Sequence, residues 1–211
     1  MTLVAGFSFC GKRMFPIFLK LESRPCLVVG AGAIAEGKIQ GLLAERASVK
    51  VVAPEATSQI RQWASAGAID WHQREFESAD LEGKFLVIVA TSCRDVNARV
   101  FTEAHAKGIL CNAVDDPPNC DFYYPALVRR GDLQIAISTG GQSPALAQRI
   151  RQELEQQFGP EYESWVAELG KQREELAASD LDPDVRKRIL HELASRASFD
   201  AQVAAQKGGR N

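Results

Sequence analysis

Gly30-Ala31-Gly32-Ala33-Ile34-Ala35 sets glycine at the first two positions of a dinucleotide-binding fingerprint and alanine at the third. Gly30 permits the tight turn, Gly32 leaves room for a pyrophosphate to approach the backbone, and Ala35 is small enough for a helix to pack on a sheet. The N–H groups of Ala33, Ile34 and Ala35 open that helix as an anion site, and the helix dipole adds favourable charge. An acidic residue for the adenosine ribose belongs about 20 residues further on, at the end of the next strand. There the chain reads Val51-Val52-Ala53-Pro54-Glu55, so Glu55 stands near that place, displaced by Pro54. No arginine directly follows to favour a 2′-phosphate, and NAD is expected over NADP.

Asp115 and Asp116, in "CNAVDDPP", close an apolar run. At the carboxyl edge of a sheet such a carboxylate suits a general base, and before two prolines an aspartate equally suits the start of a turn. In "STGGQSP" a glycine pair meets a helix start, with Ser143 as N-cap and Pro144 at the first helical position. Thr139, Gly140, Gly141 and Ser143 therefore form either an anion site for a substrate carboxylate or a flexible joint with an ordinary cap. Thr91, at the end of "VIVAT", could touch the ribose or nicotinamide side of a cofactor, or simply close a strand before a helix. Arg129, Arg130, Arg149 and Arg151 are of the type that pairs bidentately with carboxylates, though such arginines are more often solvated surface. His72, His105 and His191 are scattered, so no metal site made by the protein is expected.

These residues need a frame that brings them to one edge. Apolar runs alternate with helical patterns: "CLVVG", "AIAEGKIQGLLAE", "VKVVAP", "EATSQIRQWASAG", "IDWHQREF", "KFLVIVAT", "CRDVNARVFTEAHAKG" and "ILCNAVD". That is the rhythm of an α/β fold, a Rossmann-type parallel sheet covered by helices. Ser92 with Asp95 predicts a capping-box-like helix start, and Gly108 its stop. After the turn-rich "DPPNCD", the run "FYYPALV-RRGD-LQIAIST" predicts a β-hairpin around Gly131. Helical patterns follow to the end, interrupted near "SDLDPD", and the tail "QKGGRN" is expected to fray. The expected organisation is an N-terminal extension over 1–15, a dinucleotide domain over 16–117, a hairpin-and-helix region over 118–158 and a C-terminal helical region over 159–211.

Composition narrows the partners. The 211 residues are 45% hydrophobic and 25% charged, with a formal net charge of -2, which leaves no global field to recruit nucleic acid or an anionic membrane. No apolar run approaches the roughly 20 residues that cross a bilayer, and a cytoplasmic location is expected. Cys10, Cys26, Cys93, Cys111 and Cys120 are odd in number and form no CxxC pair. Reduced, structural thiols are expected.

Together "PIFLKLESRPCLVVGAGAIAEGKI", "VIVATSCRDVNARV", "CNAVDDPPNCDFYYPAL" and "IAISTGGQSPALAQRIR" resemble the precorrin-2 dehydrogenase/sirohydrochlorin ferrochelatase family, the dehydrogenase part of siroheme synthases. The resemblance runs in order from Pro16 to Arg151. It implies NAD-dependent oxidation of precorrin-2 to sirohydrochlorin and, in some members, insertion of ferrous iron to give siroheme. It also implies Asp115 as the catalytic carboxylate, with Asp116 left to the turn, and a homodimer built through the hairpin and helical regions. With no methyltransferase pattern after the match, the chain resembles the stand-alone form. A rival expectation is an NAD-sensing module that shares the fold without the chemistry; Asp115 and "STGG" count against it.

Overall fold

The computed structural model describes residues 14–208. Most of the expected N-terminal extension, Cys10 and residues 209–211 of the tail lie outside the described residues. The chain divides into two compact units, residues 14–124 and residues 125–208.

The first unit alternates strand and helix: β1 (Pro25–Val29), α1 (Ala33–Ala44), β2 (Ser48–Val52), α2 (Ser58–Ser65), β3 (Asp70–His72), β4 (Leu86–Val89), α3 (Arg94–Ala106) and β5 (Leu110–Ala113). All pairings are parallel, and the strands lie in the order β3-β2-β1-β4-β5. This is the Rossmann order, which the alternating apolar runs imply because a parallel crossover needs a covering helix. Central strands buried on both faces read as continuous apolar runs. In β1, Cys26 and Val28 pack with Ala35, Ile39 and Leu42 of α1 and Ile60 of α2. Leu27 and Val29 point the other way, against Val100 and Ala104 of α3.

One buried charge ties the β3–β4 connection to β2. Asp80 is 2% exposed and accepts hydrogen bonds from Lys50 at 2.8 Å, from both terminal nitrogens of Arg74 at 2.7 and 2.6 Å, and from the Glu77 N–H at 3.0 Å. Burial opposes its charge, but Arg74 and Lys50 outweigh that and hold its carboxyl well below the usual carboxylate range. The stability this contributes is complete above the unfolded pKa of about 3.9 and is lost as pH falls below it. Asp80→Asn is therefore expected to lower stability at neutral pH by roughly 1–3 kcal/mol. Calorimetry at a series of pH values should also show a shallower acid limb than the parent's.

The second unit opens with the antiparallel hairpin β6 (Ala126–Arg130) and β7 (Leu133–Ile137). Gly131 turns between them at φ 55, and a Cβ there would meet Cγ of Glu163 at 2.8 Å. Helices α4 (Pro144–Gln157), α5 (Glu161–Ala177), α6 (Pro183–Leu193) and α7 (Arg196–Gly208) follow. Phe158, Tyr162, Trp165 and Phe199 form an aromatic cluster joining α5 to α7.

Two local expectations are corrected. The helix after β4 starts at Arg94 with Cys93 as N-cap and no side-chain cap of its own, so Ser92 does not cap it. The expected strand "FYYPALV" begins only at Ala126, because the residues before it are held on the first unit. Asp121 donates its N–H to the Cys111 carbonyl at 2.8 Å. It also accepts the Cys111 N–H at 3.0 Å, and the Asn112 amide donates to the Phe122 carbonyl at 2.7 Å. The first compact unit thus runs to Tyr124.

Candidate dinucleotide site and catalytic edge

Strand order reverses between β1 and β4, where α/β sheets open a crevice at their carboxyl ends. The backbone draws both ends together: Ala90 donates to Val29 at 2.8 Å, and Val114 extends β5 by donating to Val89 at 2.9 Å. Gly30 sits in this closure at φ 101. A Cβ on it would stand 2.4 Å from the Ala90 carbonyl oxygen and 3.2 Å from Cγ2 of Thr91. Only glycine fits there, on grounds of both conformation and space.

Gly32 has the opposite surroundings. It is the N-cap of α1, and nothing lies within 4 Å of the point a Cβ would occupy. With no side chain to cap them, the N–H groups of Ala33, Ile34 and Ala35 begin the helix without intrahelical partners. Ala35 is fully buried against the sheet, while Ile34 is 56% exposed. A cradle of open N–H groups over empty space fits a dinucleotide pyrophosphate. The loop after β2, carrying the exposed Pro54 and Glu55, is tied to this turn by the Thr57 N–H, which donates to Ala31 at 3.1 Å.

Thr91 closes β4 beside the turn. Its hydroxyl donates to Oδ1 of the buried Asn97 at 2.6 Å and accepts the Cys93 N–H at 3.2 Å, while the Asn97 amide returns to the Thr91 carbonyl at 3.2 Å. The hydroxyl therefore organises the start of α3, and the methyl faces the glycine turn.

Beyond β5 the two aspartates separate by environment. Asp116 is engaged in the turn: its N–H donates to Ala113 at 3.2 Å, its carbonyl accepts the Asn119 N–H at 2.9 Å, and its carboxylate accepts the Asn119 amide at 2.7 Å. Asp115 is exposed at φ 60, and among the described residues no hydrogen bond or ion pair engages its carboxylate. Aspartate is one of the few residues besides glycine that visit this left-handed region routinely.

Asn112 is a residue that sequence reasoning missed. It is buried within β5, and its amide reaches the Phe122 carbonyl, fixing the segment that leaves the edge. An amide inside the apolar run "ILCNAV" was the available signal. Burial pushes the Cys26 thiol up to about 11 and Cys111 up to about 12, which makes both unreactive.

In the second unit Gly140 and Gly141 take φ 62 and 81. The Thr139 hydroxyl accepts the Ser143 N–H at 3.1 Å, and Ser143 caps α4 through the Leu146 N–H at 3.2 Å, as its position predicts. The arginines suggested for carboxylate binding are largely committed elsewhere. Arg130 donates to the Phe158 carbonyl at 2.8 Å, closing the end of α4. Arg149 pairs with Glu153 at 3.2 Å, and Arg151 with Glu155. His72 pairs with Asp70, and His105 stacks on Phe101. Among the described residues no helix is long and apolar enough to cross a membrane.

A Rossmann sheet with an open glycine turn at its switch point defines the dinucleotide-binding fold. Residues 17–126 match the family described as putative NAD(P)-binding, and residues 130–157 match the one described as sirohaem biosynthesis protein central. The chain belongs to the family described as putative NAD(P)-binding. It is 44% identical to siroheme synthase 1 of Aeromonas salmonicida over 140 residues, 66% of this chain and 30% of that one. It is 41% identical to siroheme synthase of Photorhabdus laumondii over 188 residues, 89% of this chain and 38% of that one. The chain spans about a third of the length of the curated relatives it matches. A solved structure of SirC, precorrin-2 dehydrogenase, is similar at 28% identity and TM-score 0.76, covering 91% of this chain and 100% of that chain.

Proposed function

We propose that the protein oxidises precorrin-2 to sirohydrochlorin with NAD. The reading rests above all on Asp115, a carboxylate without hydrogen-bond or ion-pair partners among the described residues, on the same carboxyl edge as a dinucleotide turn. Gly30, Gly32 and the N–H groups of Ala33, Ile34 and Ala35 would hold the pyrophosphate. Pro54 and Glu55 would lie by the adenosine ribose, and Thr91 by the inner crevice. NAD, when bound, accepts a hydride from the macrocycle. Asp115 takes the proton that must leave with it, so that one hydride and one proton account for the two hydrogens removed. Thr139, Gly140, Gly141 and Ser143 are proposed to meet a substrate acetate or propionate. The hairpin and helical unit is proposed as the dimer-forming part.

Ferrous iron insertion is the finer extension of this reading. The macrocycle nitrogens would ligate the iron, which is substrate here, and Asp115 would receive the pyrrolic protons. Anaerobic incubation of precorrin-2 with NAD, followed by absorbance and then by addition of ferrous iron, tests both steps. No NAD-dependent change would favour a sensing module over an enzyme.

The open space at Gly32 yields a prediction of its own. Gly32→Val places a branched side chain where the pyrophosphate would lie, and no atom of a non-neighbouring residue lies within 4 Å of the position its Cβ takes. NAD affinity should fall at least tenfold, the equivalent of about 1.4 kcal/mol, with circular dichroism unchanged. An unaltered calorimetric titration would remove the turn's assignment.

A further inference from the structure

Several lysines and arginines on the helices of this protein have an acidic partner one turn away: Arg99 with Glu103, Arg149 with Glu153, Lys171 with Glu175, Arg196 with Asp200. Lys38 on α1 has none. The positions one turn before and after it are Ile34, Ala35, Gly41 and Leu42, so nothing on its own helix can accept from it. Its side chain is half-buried. Among the described residues it makes no hydrogen bond or ion pair, and its ammonium stands over the Tyr124 ring, 3.6 Å from the centroid.

Helical side chains lean toward the N-terminus of their helix. From α1 that direction is the carboxyl edge, where Asp115 lies. Burial pulls the Lys38 ammonium below the ordinary lysine range, and the Asp115 carboxylate acts against that pull, so the two charges are within electrostatic reach. Tyr124 is no loose neighbour either. It ends the segment anchored through Asn112, Asp121 and Phe122, and its ring packs against that of Phe122 with centroids 5.8 Å apart.

A half-buried cation with spare donors is costly unless something else satisfies it. The ring takes one side of the ammonium and leaves the remaining N–H groups directed elsewhere. Asp115 is not within ion-pairing distance and stays available as a base. We propose that Lys38, held over Tyr124, is a substrate-binding residue that takes a carboxylate of the tetrapyrrole. This deepens the dehydrogenase reading and rests on it for the identity of the substrate.

Titration of sirohydrochlorin by fluorescence quenching tests the assignment without requiring turnover. Lys38→Met keeps the length of the side chain and removes its charge, and should weaken tetrapyrrole binding about 10- to 100-fold, as loss of one charge-assisted hydrogen bond implies. Lys38→Arg should recover most of that loss. NAD titration should be the same in all variants, and in turnover the loss should fall on KM with kcat nearly kept, the mark of a binding contact. Should the methionine variant be poorly folded, Lys38→Gln carries the same comparison. Equal tetrapyrrole affinity in parent and variant would overturn the assignment, as would a loss confined to NAD, which would assign Lys38 to the cofactor. A parent that binds tetrapyrrole through Lys38 yet shows no NAD-dependent oxidation would sink the dehydrogenase reading and leave this binding role standing.

Discussion

Asp115→Asn is expected to slow NAD-dependent oxidation of precorrin-2 by about 10²–10⁴-fold, the usual loss when a general base is removed. Asparagine is the apt replacement for a structural reason. Asp115 sits at φ 60, and asparagine shares with aspartate the ability to visit the left-handed region at little cost. Alanine there would add backbone strain of roughly 1–2 kcal/mol and confuse stability with chemistry. The asparagine variant should keep the parent's melting temperature and NAD affinity while losing rate. Near-parental oxidation under saturating NAD would reduce Asp115 to a turn residue. Where the parent also inserts iron, the same measurement on the variant shows whether both reactions share the carboxylate.

Gly30→Ala should do the reverse, damaging the fold first. The position has φ 101, outside what L side chains adopt comfortably, and the new methyl would stand 2.4 Å from a backbone carbonyl. Strain and overpacking together imply a loss of roughly 2–5 kcal/mol. For a chain of this size that is a melting temperature lower by roughly 5–15 °C. NAD binding should fall as well, since the turn must open to relieve the clash. A variant melting within about a degree of the parent would mean that β1 and β4 are not joined as tightly as described. Beside Gly32→Val, the pair separates two uses of glycine: one leaves space for protein, the other for ligand.

Much of the first unit could be read in the chain because its strands are buried on both faces and its helices are not. That contrast alternates apolar runs with amphipathic ones and implies the parallel order. Gly30 and Ser143 were legible because each position tolerates few residue types. Asn97 and Asn112 were not, since their roles depend on which carbonyl groups the tertiary fold brings near. The same reason explains the misplaced helix cap: Ser92 has the right type and spacing, but Asn97 claims Thr91 and moves the start. The resting place of Phe122 and Tyr124 was hidden for a further reason. "FYYPALV" has strand composition throughout, and only the hydrogen bonds to β5 decide where the first unit lets go of it. Lys38 stood in plain view within the fingerprint helix, yet its lack of a partner becomes meaningful only once Tyr124 is beside it.

The join between Gly30 and Ala90 has a consequence for how a ligand would arrive. Because the turn after β1 rests on the end of β4, and Val29 accepts from Ala90 at 2.8 Å, the floor of the crevice is braced by backbone hydrogen bonds that need no ligand. A dinucleotide entering there is expected not to wait for a rare open form, and its affinity should not be diluted by the fraction of molecules competent to bind. Ordering of the protein takes little from the binding free energy. Association should then be a single kinetic phase whose rate rises linearly with ligand concentration, with no plateau from a preceding rearrangement.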